Sequence, residues 1–69
     1  MNQYLFLFYN IDSSIIGWEC FDPKEPVSEA MAVQQCFNLL YAEMFYARAE
    51  VYSYRHATLK CHICTLVRR

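Results

Sequence analysis

An α+β domain is what this sequence predicts, in the order β-β-α-β-β, with one helix packed on one face of an antiparallel sheet. Three observations predict it. Two aromatic-rich runs, "QYLFLFY" and "IIGWECF", flank the turn-forming "NIDSS". One amphipathic stretch follows a loop containing both prolines. The last third of the chain alternates with a period of two.

The first run, Gln3 to Tyr9, is dense in residues that fit a pleated surface and reads as a strand. Asn10, Asp12, Ser13 and Ser14 bond their own backbone and favour a turn. Ile15 to Phe21 reads as a second strand, antiparallel to the first, and Gly17 within it marks a bulge or a close approach of another group. "DPKEP" then breaks the pattern, because each Pro lacks an amide donor.

Ser28 caps the expected helix, and Glu29 sits in its first turn, where the helix dipole favours a carboxylate. Ala30, Val33, Phe37, Leu40 and Met44 recur at spacings of three and four and form the expected buried stripe, widened by Cys36 and Tyr41. No Gly or Pro stops this helix, so its end falls anywhere between Tyr41 and Ala47. "AEVYSYR" is a third strand, a turn near Arg55 to Ala57 follows, and from Ala57 onward the odd positions are apolar and the even ones mostly polar.

The 69 residues make one domain, 1–69. Apolar residues at 57% against 19% charged exclude a disordered tail. No run reaches the roughly 18 apolar residues of a membrane span. The beginning lacks the basic region and cleavage site of a signal peptide. A soluble cytoplasmic protein without a membrane partner is the expectation.

Charge is unevenly spread. Residues 1–46 carry Lys24 against six carboxylates, and residues 47–69 carry five cations against Glu50. Such a chain suits docking on a charged partner, although solvated faces are the simpler account.

No motif fixes a reaction, and the chain is expected not to be an enzyme. The "CHIC" run lies mid-strand, where Cys61 and Cys64 should point to opposite faces, and no second C-x-x-C exists, so neither metal nor cofactor is expected. Cys20, Cys36 and Cys61 read as small buried hydrophobes and Cys64 as a partly exposed thiol. His62 and Cys64 share a strand face but lack an orienting third group.

Two constellations remain. Both parities of the first strand are apolar, and a single helix covers only one face. Tyr4, Phe6 and Phe8, joined by Trp18, are therefore expected to form an exposed aromatic patch that binds a protein partner or a second copy of the chain. The acidic residues Asp22, Glu25 and Glu29 would orient docking and imitate phosphate toward a basic site. By size class alone, such chains are frequent among phage and mobile-element proteins that block host machinery, anti-CRISPR inhibitors among them. The rival reading is a small nucleic-acid-binding module. It uses Arg48, Tyr52, Tyr54, Lys60, His62 and Arg68, where aromatics interleaved with cations stack bases and meet phosphates.

Overall fold

The computed structural model describes residues 3–56 and 59–69. Its elements are β1 (Gln3–Tyr9), β2 (Ile15–Phe21), α1 (Glu29–Ala42), β3 (Arg48–His56) and β4 (Leu59–Val67). The four strands form one antiparallel sheet in the order β2-β1-β3-β4. The predicted β-β-α-β-β order stands. The predicted turn at Arg55 to Ala57 falls partly outside the described residues.

Local chemistry explains the first hairpin. Asn10 Oδ1 accepts from the amides of Asp12 and Ser14, and Ser13 takes a left-handed conformation with φ of 65°. Ile16 is the extra residue of a bulge, since Phe8 faces Gly17 while Tyr9 faces Ile15. The hydroxyl of Ser28 accepts from the Met31 amide at 3.2 Å, as a cap should. Tyr4 ties the preceding loop to the sheet by donating its hydroxyl to the Val27 carbonyl at 3.2 Å.

The core lies between α1 and one face of the sheet. Tyr4, Phe6, Phe8, Ala49 and Val51 meet Ala32, Cys36 and Leu40, all buried. The expected partner-binding trio Tyr4, Phe6 and Phe8 is thus the floor of the core, with Phe6 at 0% exposure. Both parities of β1 are apolar, so alternation alone does not choose the covered face; the helix covers the parity of Tyr4, Phe6 and Phe8.

The buried stripe of α1 also differs from the expected one. Ala32, Cys36 and Leu40 are buried, Val33 and Leu39 are half-buried, and Ala30 and Phe37 are exposed. Large rings on the sheet require small residues above them if the layers are to interdigitate at native density. Turning Ala32 and Cys36 inward satisfies that requirement and leaves Phe37 and Tyr41 outside, 4.8 Å apart.

The helix stops at Ala42 because of a residue far away in sequence. The Arg68 guanidinium donates to the carbonyls of Leu40, Glu43 and Tyr46 and lies 5.1 Å from the Tyr41 ring centre. A cation satisfying the last carbonyls replaces the missing glycine cap. Beyond it, Tyr46 stacks on Phe8 at 4.4 Å and roofs Gly17, where a Cβ would lie 2.5 Å from the Tyr46 hydroxyl. Gly17 therefore marks a close approach.

Candidate functional site on the open sheet face

The helix covers one side of the sheet, and the strand registers define what lies on the other. Three rows cross that face: Ile15–Tyr9–Arg48–Val67, Trp18–Leu7–Glu50–Thr65 and Cys20–Leu5–Tyr52–His62. Leu5 is buried by its neighbours, Leu7, Tyr9, Arg48, Glu50 and Tyr52 are half-buried, and Trp18 is 68% exposed.

A polar network runs along the middle of this face. Glu50 Oε1 accepts from the Tyr9 hydroxyl at 2.6 Å and from the Tyr52 hydroxyl at 2.9 Å. The Tyr9 hydrogen bond holds the Glu50 carboxyl below its ordinary value; partial desolvation opposes this, while Tyr52, Arg48 and His62 reinforce it. In return, the Glu50 carboxylate raises the Tyr9 and Tyr52 phenols. The Arg48 guanidinium lies 4.2 Å from the Tyr9 ring centre and donates to Ser13 Oγ at 3.3 Å, while its Nε is buried with no hydrogen-bond partner among the described residues. The His62 ring meets Tyr52 edge-on at 5.3 Å, and its Nε2 is 3.0 Å from Thr65 Oγ1.

The predicted residues therefore divide. Trp18 lies on the open face, whereas Tyr4, Phe6 and Phe8 do not. Arg48, Tyr52 and His62 come together on that face, and the backbone positions of Tyr54 and Lys60 pair in the adjoining row. Arg68 does not join them, because its guanidinium is held at the end of α1. Asp22, Glu25 and Glu29 are exposed around the loop that leads into α1, and Asp22 accepts from Gln3 Nε2 at 3.3 Å.

A second bulge corrects the reading of the cysteines. Val51 faces Cys64 and Tyr52 faces His62, so Ile63 is an extra residue in β4. Parity changes across it. Cys61, opposite Ser53, and Cys64, opposite Val51, fall on the helix side together, and His62 falls on the open face. His62 and Cys64 are therefore not partners on one face. Cys20 is exposed, Cys61 and Cys64 are half-buried, and buried Cys36 is pushed up to about 12, mainly by desolvation and then by Cys64. Burial, and secondarily Glu29, raises the Cys64 thiol as well. Among the described residues, no three His, Cys, Asp or Glu gather as metal ligands.

Sequence reasoning missed Tyr9, Leu7, Glu50 and Ile15, although all share the parity of Arg48 and Tyr52 once β1 and β3 are paired. It also missed a concavity of about 780 Å³ at the Tyr9 end of the sheet, walled by Ile11, Ile16, Met44, Phe45 and Tyr46, with Arg68 and Arg69 at its rim. Three segments distant in sequence build it. No helix among the described residues is long and apolar enough to cross a membrane. Comparison with protein-family models, curated proteins and solved structures found no match.

Proposed function

We propose that this chain is a non-enzymatic docking protein that occludes a protein partner through the open face of its sheet. The observation that carries this reading is the Trp18 indole, 68% exposed beside Leu7 on the face the helix leaves bare. Exposed indoles in an apolar setting are the usual anchors of protein interfaces. Tyr9 and Tyr52 extend the anchor surface, and their hydroxyls are already satisfied by Glu50, so burying them against a partner leaves no phenol unpaired. The exposed carboxylates Asp22, Glu25 and Glu29 suit a partner with a basic surface, such as one that otherwise holds nucleic acid. An inhibitor of host machinery carried by a mobile element, of the anti-CRISPR kind, fits this mode of action.

The test is affinity capture from nuclease-treated lysate, followed by binding to the purified basic partner it yields. Trp18→Ala should weaken that binding at least tenfold and Glu25→Lys should slow association. Unchanged binding in both variants overturns the reading.

One observation favours a second reading, single-stranded nucleic acid. Arg48, Tyr52 and His62 share the open face with Trp18, and bases stack on such platforms. Titration with fluorescent oligonucleotides separates the two: this reading requires saturable binding that falls steeply with salt and is lost in Tyr52→Ala.

A further inference from the structure

The concavity at the Tyr9 end of the sheet has the make-up of a small-ligand site. The turn after β1 supplies Ile11, β2 supplies Ile16, and the segment between α1 and β3 supplies Met44 and Phe45. Ile11, Met44 and Phe45 are 87%, 77% and 73% exposed, so these walls are apolar side chains that the core does not use. The volume of about 780 Å³ falls within the roughly 300–1,000 Å³ of small-molecule sites. No carboxylate side chain lines the concavity, and the charges among its described lining residues are Arg68 and Arg69.

Arg68 is half-buried and pairs with no carboxylate among the described residues. Its Nη1 donates to the carbonyls of Leu40, Glu43 and Tyr46, and these bonds, with the Tyr41 ring, hold the guanidinium in place. Nε and Nη2 make no hydrogen bond among the described residues. Those two atoms form the side edge of the guanidinium, which can take a carboxylate through two parallel N–H···O bonds. A fixed cation with an unused edge, set beside apolar walls, is preorganised for an anion carried on an apolar body. We propose that this concavity binds an acyl chain ending in a carboxylate, a medium-chain fatty acid in its ionised form. The chain lies against Ile11, Ile16, Met44 and Phe45, and the head group meets the side edge of Arg68, with Arg69 beside it. Met44, unbranched and adaptable, suits a flexible ligand. Trp18 is not part of the lining, so the site stands apart from the occlusion reading.

The probe is decanoate, titrated below its micelle-forming concentration into the isotope-labelled full chain and followed by amide chemical shifts. Binding should saturate, with the changes centred on Ile11, Met44, Phe45 and Arg69. Decanol, which lacks the anion, and butyrate, which lacks the long chain, should each bind about tenfold more weakly. Phe45→Ser removes an exposed ring and should weaken decanoate about tenfold while leaving the fold intact. Arg68→Lys keeps a cation for the carbonyls but loses the bidentate edge, and should weaken decanoate by a similar factor in a chain shown to be folded by its urea midpoint. Trp18→Ala should bind decanoate as the parent chain does. Absence of saturation overturns the proposal and returns the concavity to the protein-docking surface. Decanol binding as tightly as decanoate also overturns it, as does decanoate binding that Phe45→Ser leaves unchanged or that perturbs the Trp18 face instead. Loss of partner binding in Trp18→Ala with decanoate binding retained shows that the two sites are separate, and decanoate binding lost in Trp18→Ala overturns the assignment to this concavity.

Discussion

β1 and β2 are both seven-residue strands rich in rings and branched side chains, yet they end in opposite environments. β1 lies between two neighbours, and Tyr4, Leu5, Phe6 and Phe8 are buried. β2 has one neighbour, and Ile15, Ile16 and Trp18 are exposed. Hydropathy does not separate them. Place in the strand order does, because a central strand has cover on both edges and an outer one does not. Apolar content therefore becomes buried core in β1 and exposed surface in β2.

The largest test of that contrast is Phe6→Ala. Removing a fully buried ring from the core should cost about 3–5 kcal/mol, measured by urea denaturation. In a domain of this size that is most of the net stability. If the loss were below about 1 kcal/mol, β1 would not be the floor of the core.

Arg68→Ala comes next, at about 1–2 kcal/mol after allowance for partial exposure, because three carbonyls lose their cation. Amide exchange should quicken in the last turn of α1 and leave β2 unaffected.

A smaller effect is confined to acid. Glu50 has a folded-state pKa below its ordinary value of 4.5, so the stability it contributes is present above that value and lost as pH falls through the folded one. Glu50→Gln should flatten stability against pH below about 4.5 and leave Tyr9 and Tyr52 with a neutral acceptor. An unchanged acid limb would show that the network holds no pH-dependent stability.

Trp18→Ala should move stability least, by under about 0.5 kcal/mol, while weakening the proposed docking at least tenfold. A large destabilisation would mean that β2 supports the fold as β1 does, and the contrast would fail.

Parts of this arrangement are legible in single residues. Ser28 announces the start of α1, and Asn10 to Ser14 announce the hairpin, because capping and turn chemistry act within four residues. The covered face of β1 is not legible, since Phe6 and Leu7 are equally apolar. The small residues Ala32 and Cys36 were the available signal: only a helix that seats them over rings leaves room for Tyr4, Phe6 and Phe8.

The sequence alone determined the number, type and order of the elements, because periodicity, caps and turns are local properties of the chain. Tertiary structure alone decided which side of the sheet became the core, where α1 ends and which face His62 and Cys64 occupy. Those outcomes depend on pairings between distant segments: β1 with β3, Arg68 with the Leu40 carbonyl, and Ile63 bulging opposite Val51 and Tyr52. A one-residue shift in such a pairing turns side chains to the other face, and no local pattern encodes it.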